Sequence, residues 1–176
     1  MRQSLSSDRT SWHITFGTYG TRLHGGRRPT VDKRHNQRGT PFLPTNAARQ
    51  QRARSRMNFA PRRLTQPQCE LIEAELPGIC DQGGWDYRIA AASSDHVHLL
   101  CDVAAEVHGE KVRRLIKRWL VQVLSERWPL VEGARWWAVE GSNIAVCDEA
   151  YLNHVYRYIL RQRATFAAQV GDDWAR

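Results

Sequence analysis

Two strand-like runs stand almost back to back in this chain, and they dictate a sheet. Residues 85–92, WDYRIAAA, and residues 96–103, HVHLLCDV, are separated only by Ser93, Ser94 and Asp95. The runs carry aromatic and β-branched residues, and the three residues between them have turn chemistry. The pair therefore reads as an antiparallel hairpin. Side chains on a strand alternate between faces. Val97, Leu99 and Cys101 share one face, and His96 and His98 share the other. Residues 12–20, WHITFGTYG, alternate in the same way. There Trp12, Ile14 and Phe16 face one side, and His13, Thr15 and Gly17 face the other.

Helical periods fill much of the remainder. Thr65 and Gln68 have capping-box spacing ahead of Leu71, Ile72 and Leu76. A helix is expected over about 66–80, ended or kinked near Pro77, with Gly83-Gly84 closing it. Residues 109–127 give the clearest helix, with Val112, Leu115, Ile116, Trp119, Val123 and Leu124 on one face. Residues 135–146 read as an irregular segment or short strand with a turn at Gly141-Ser142-Asn143. Asp148 is the expected N-cap of a last helix over about 149–169, ending before Gly171, with a stripe of Leu152, Val155, Ile159 and Phe166. This order implies an α+β fold: an antiparallel sheet with helices packed on one face, of ferredoxin-like or RRM-like type. The 176 residues read as a single domain.

The charge is unevenly spread. Residues 1–63 hold 14 Arg and Lys against 2 Asp and Glu, whereas residues 64–176 hold 12 against 16. Residues 21–63 show no sustained period and form a long basic loop insertion, within which 46–57 is compatible with a short basic helix. Of 26 basic residues 23 are Arg, whose planar donor fork suits phosphate and stacks on bases. Such a block reads first as a polyanion-binding segment. Lys111, Arg114, Lys117 and Arg118 add a basic row on the 109–127 helix, either a solvated face or a DNA-backbone surface. No run approaches the ~20 apolar residues of a membrane span, and the N-terminus has no apolar signal core. The expectation is a soluble, cytoplasmic protein. Cys69, Cys80, Cys101 and Cys147 lack CxxC spacing and read as buried free thiols.

His96 and His98 are the residues best suited to chemistry. Two imidazoles on one sheet face can hold one divalent cation, with a further ligand from elsewhere, and Asp95 can orient one of them. Taken alone, an HxH pair is equally a pair of surface histidines. Tyr158 and Gln162 stand four residues apart on the last helix, beside its apolar stripe. Tyr156 reads as packing, and Tyr151 shares the side of Tyr158. His13 is expected on the same sheet face as the His pair. A phenol can attack a phosphodiester in line and hold the phosphate as a covalent ester, given a cation that offsets the charge. Its ordinary pKa of ~10 calls for a cationic neighbourhood.

Asp95-His96-Val97-His98-Leu99-Leu100 resembles the HUH (His-hydrophobic-His) motif of single-tyrosine transposases and relaxases. Asp148-Glu149-Ala150-Tyr151-Leu152, followed by Arg157-Tyr158-Ile159-Leu160, resembles the tyrosine helix of REP-associated tyrosine transposases, and Trp12 to Tyr19 resembles their first strand. The segments Arg34-His35-Asn36 through Gly39-Thr40-Pro41 and Trp136-Trp137 through Gly141-Ser142 resemble a subgroup with a long N-terminal insertion. Leu160-Arg161-Gln162-Arg163 stands where REP-associated members commonly follow Tyr-Ile with Asn-Pro. The resemblance spans about residues 12–165. It implies a ferredoxin-like enzyme that binds single-stranded DNA, often at a hairpin. It implies Mg²⁺ or Mn²⁺ held by His96 and His98, and Tyr158 as the nucleophile that forms a 5′-phosphotyrosine. Gln162 matches the position that completes the metal site in insertion-sequence relatives. Many such enzymes are homodimers in which one chain's tyrosine serves the other's histidines.

Two other functions are compatible with the same residues. One is a non-catalytic or domesticated single-stranded nucleic-acid-binding module, using the Arg block and Trp136 or Trp137 as stacking platforms. The other is a metallo-hydrolase without a covalent step.

Overall fold

The hairpin forms as read. In the computed structural model, which describes residues 3–23, 25–26 and 44–163, β2 (Asp86–Ser93) and β3 (His96–Ala104) pair antiparallel across a two-residue turn. β1 (Arg9–Thr18) pairs antiparallel with the other side of β3, and β4 (Trp137–Val146) with the other side of β1. The sheet order is therefore β2-β3-β1-β4. Four helices complete the described residues: α1 (Ala47–Ser55), α2 (Gln66–Gly83), α3 (Gly109–Arg127) and α4 (Glu149–Leu160). This is the α+β, ferredoxin-like arrangement expected from the sequence.

The larger core lies on one sheet face. Trp12, Ile14 and Phe16 of β1 and Val97, Leu99 and Cys101 of β3 pack there with Ile72 and Leu76 of α2 and Ile116 and Leu120 of α3. Each fully buried aliphatic side chain contributes about 1.5–3 kcal/mol. The helices are not confined to that face, however. Leu152, Val155 and Ile159 of α4 pack on the opposite face against Ile89, Ala91, Leu100 and Val146. The alternation explains this correction. Leu100 shares its face with His96 and His98, so part of the histidine face is apolar and needs cover.

Several boundaries also differ. α2 does not end at Pro77 but continues to Gly83, and Gly84 caps it with a φ of 70°, a left-handed backbone that favours glycine. The anticipated capping box forms, with Thr65 N–H donating to Gln68 Oε1 at 2.9 Å. β4 passes through Gly141-Ser142-Asn143 without turning, because those residues pair with Phe16, Thr15 and Ile14. α4 stops at Leu160, with a turn in which Gln162 N–H donates to Ile159 O at 2.9 Å. Phe166 and the rest of the expected helix to 169 lie outside the described residues. So do Arg34 to Pro41 of the insertion.

The basic insertion begins and ends at one place. Arg62 N–H donates to Tyr19 O at 2.8 Å, and the Arg62 guanidinium lies over the Trp136 ring at 4.9 Å. Within it, α1 forms with no buried residue. The outer edge of β2 is closed by side chains. Ala90 N–H donates to Tyr87 Oη and Ala92 N–H to Glu73 Oε1, both at 2.9 Å.

Candidate active site

Strand register brings the histidines together. Thr15 of β1 lies opposite His98 and Gly17 opposite His96. Thr15 Oγ1 is 2.8 Å and His13 Nε2 3.1 Å from His98 Nδ1. The His96 and His98 rings meet edge to face, with centroids 4.7 Å apart. Asp95 Oδ1 is 2.6 Å from His96 Nδ1. The Asp95 backbone carbonyl accepts from Thr18 N–H at 3.0 Å, which ties the turn to the end of β1. An acceptor this close assigns the Nδ1 proton of His96 and turns its Nε2 lone pair outward.

α4 delivers the other members across the sheet. Its N-terminus is capped by Asp148, whose Oδ1 accepts from Tyr151 N–H at 2.7 Å. Its apolar stripe fixes its rotation. Tyr158 is thereby turned so that its ring meets His98 edge to face at 5.3 Å, while 43% of the residue stays exposed. Tyr151 and Tyr156 are half-buried and pack on the small core. Gln162 reaches the histidines from the turn beyond the helix and not from the helical face the spacing implied. Its Oε1 lies 3.2 Å from His96 Nε2.

Burial sets the protonation of the cluster. His13 is lowered to about 4 by burial. His98 is lowered to about 3, by burial first and then by the charges of His96, His13 and Arg22. Both are neutral at ordinary pH, the form that ligates metal.

The donor atoms fit a divalent cation. His98 Nε2 is buried without a hydrogen-bond partner. With the ring neutral and its proton on Nδ1, His96 Nε2 turns a lone pair toward the Gln162 amide oxygen 3.2 Å away. A divalent cation fits both nitrogens, and two imidazoles plus an amide oxygen form a mixed nitrogen and oxygen set, softer than the all-oxygen surroundings that Mg²⁺ prefers. Among the described residues no three His, Cys, Asp or Glu side chains form a metal-holding group by themselves. The third donor of this set is the Gln162 amide.

The basic row of α3 is not part of this cluster. Lys111, Arg114 and Arg118 are exposed on a helix that packs against the other sheet face. Lys117 is half-buried, and its Nζ donates to the carbonyls of Ala138 and Val139. Burial and then the Arg113 charge lower it to about 8. Cationic groups that the sequence reading passed over stand next to Tyr158 instead. An open cleft of about 660 Å³ is lined by Glu149, Asn153, His154, Arg157, Tyr158 and Arg161. Their signal was available, since 150, 154, 157, 158 and 161 fall on one side of a helix. Two further expectations change. Trp136 and Trp137 are buried and offer no stacking surface, and Cys147 is exposed, although the other three thiols are buried. No described helix is long and apolar enough to cross a membrane.

The fold has a solved counterpart. A crystal structure at 1.90 Å of a protein from Deinococcus radiodurans R1, named there a "putative transposase", superposes with a TM-score of 0.52. The match covers 93% of this chain and 98% of that one at 14% identity, so the likeness is one of fold. No family model and no curated protein matches the sequence.

Proposed function

We propose that the protein is a metal-dependent single-stranded DNA nickase and strand transferase of the HUH single-tyrosine transposase type. The observation that carries this reading is the meeting of Tyr158 with His98 and of Gln162 with His96, on elements far apart in sequence. The transposase-named neighbour supports it at the level of fold.

In this reading His96, His98 and Gln162 hold Mg²⁺ or Mn²⁺, which when bound polarises the scissile phosphate and offsets its charge. Asp95 keeps the His96 lone pair aimed outward. Tyr158 loses its phenolic proton to solvent and attacks phosphorus in line. The new bond joins the Tyr158 oxygen to the 5′-phosphate, and the bond to the 3′-oxygen breaks, so that the leaving oxygen takes up a proton and becomes a 3′-hydroxyl. A second 3′-hydroxyl reverses the step and rejoins the strand. One phosphodiester replaces another, so no nucleotide triphosphate is consumed. Arg157 and Arg161 are positioned to bind the phosphates beside the nucleophile. The Arg block and α3 supply salt-sensitive attraction for the rest of the strand. A homodimer is the assembly expected from the family resemblance. It is not needed to complete the cluster, since every member belongs to one chain.

The test is a covalent adduct. Wild type and Tyr158→Phe are incubated with hairpin-bearing single-stranded DNA and Mg²⁺ or Mn²⁺, then separated on a denaturing gel. A metal-dependent shifted band in wild type that is missing from Tyr158→Phe is expected. Cleavage without an adduct would make the protein a metallo-hydrolase. Salt-sensitive binding without cleavage would make it a binding module.

A further inference from the structure

Glu73 has no role in the chemistry just described, yet its burial calls for an explanation. It lies on α2, against the sheet face away from the histidines, and is 3% exposed. A carboxylate withdrawn from water costs several kcal/mol unless charge and hydrogen bonds compensate. One oxygen accepts from Ala92 N–H at the outer edge of β2. The other lies 3.5 Å from Nε of Arg163, a residue that follows α4 on the opposite layer. The Arg163 side chain therefore passes round the β2 edge and joins the two helical layers.

Arg163 is the immediate neighbour of Gln162. Among the described residues, the turn between α4 and Arg163 is held by its own backbone and by the Gln162–His96 contact. Its backbone bonds are local: Arg161 N–H to Arg157 O, Gln162 N–H to Ile159 O and Arg163 N–H to Leu160 O. Local bonds of this kind shape a turn without fixing where it points. We propose that Glu73 is a positioning residue: through its ion pair with Arg163 it holds Gln162 against His96. The proposed cation site bears only on the consequence, which is tighter metal binding. The placement of Gln162 stands without metal.

Three variants and two readouts test it. Glu73→Gln removes the charge and keeps an acceptor for Ala92 N–H. Arg163→Ala removes the pair from its half-exposed side and leaves the Glu73–Ala92 bond in place. Arg163→Lys restores a cation. The first readout is the NMR position of the Gln162 side-chain amide in metal-free protein, with His96→Ala marking the position that lacks the contact. In Glu73→Gln and Arg163→Ala the amide is expected to move to that position, with recovery in Arg163→Lys. An amide that stays at its wild-type position in Glu73→Gln and Arg163→Ala overturns the proposal. The second readout is Mn²⁺ titration. The two disrupting variants are expected to bind between about 10- and 100-fold more weakly, the usual cost of losing a group that orients a ligand. If wild type takes up no Mn²⁺ while the amide still moves, the positioning role stands and the cation site falls. If Mn²⁺ affinity is unchanged although the amide moves, Gln162 is held by the pair but is not a ligand, which sustains the positioning role and removes its consequence.

Discussion

Two polar clusters share the sheet face beneath α4, and they are built differently. At one end Asp102 accepts from Arg88 Nε at 2.8 Å and from Arg88 Nη2 at 2.7 Å, and Ser11 Oγ donates to it as well. Arg88 also donates to Gln3 Oε1 and to the Ser4 carbonyl. At the other end His98 Nε2 is buried with no hydrogen-bond partner, and His96 Nε2 meets only the Gln162 amide oxygen, at 3.2 Å. β3 contributes to both ends, with Asp102 four residues after His98. The first cluster is a network that completes itself, as buried polar groups that serve a fold do. The second leaves a buried nitrogen over, which is the feature the proposed cation site would use.

The largest expected effect separates chemistry from stability. Tyr158→Phe abolishes the covalent DNA adduct on a denaturing gel and leaves the urea unfolding midpoint within error, since only a half-exposed hydroxyl is removed. Asp102→Ala does the reverse. It leaves Arg88 without its carboxylate and costs about 3–5 kcal/mol in equilibrium unfolding, with Mn²⁺ uptake by the surviving folded protein unchanged. A variant at either end that moves both readouts together would show that the two clusters act as one.

Much of this was legible in the sequence. Period two placed His13, His96 and His98 on one face, and the apolar stripe of α4 placed Tyr158 beside it. What sequence could not supply was register and the far side of the sheet. Thr15 meets His98 because of a pairing that only the folded sheet fixes. Gln162 was singled out by a helical spacing that the chain does not keep, and it arrives by way of a turn instead. α4 was expected beside α2 and α3. The apolar Leu100, Ile89 and Ala91 on the histidine face were the sign that a second layer was needed. The α3 row has the right residue types for DNA, but helical spacing says nothing of which layer a helix joins.

A smaller effect sharpens the comparison through pH. His13 and His98 are held below the ordinary value of 6.5, at about 4 and about 3, by burial among His96, Thr15, Tyr158 and Asp95 with Arg22 nearby. The unfolded chain takes up these protons below about pH 6.5 and the folded chain refuses them. Stability is therefore full above that pH and falls as the pH drops from 6.5 toward 4. Urea midpoints in chelator-containing buffer are expected to show this, with a shallower fall over the same range in His13→Gln.

The smallest effect concerns the two basic surfaces. Arg157→Ala, beside Tyr158, is expected to reduce the salt slope of single-stranded DNA binding by about one, measured by fluorescence anisotropy across salt concentrations. Arg118→Ala on α3 is expected to change it less. Equal losses would mean that the strand is bound across both layers.

The hydrogen bond between Arg62 and Tyr19 has a consequence of another kind. The two ends of the segment between them are held at one place on the sheet. The entropy of closing such a loop rises only by about 0.6 kcal/mol for each doubling of its length. The 42 residues between those two bonded groups therefore close at a cost that depends little on their number. Thr21 and Arg22 at the near end belong with the sheet, since Thr21 Oγ1 donates to the Asp95 carbonyl and the Arg22 charge acts on His98. An engineer could exchange the residues beyond them for a short turn and ask what the remainder does on its own.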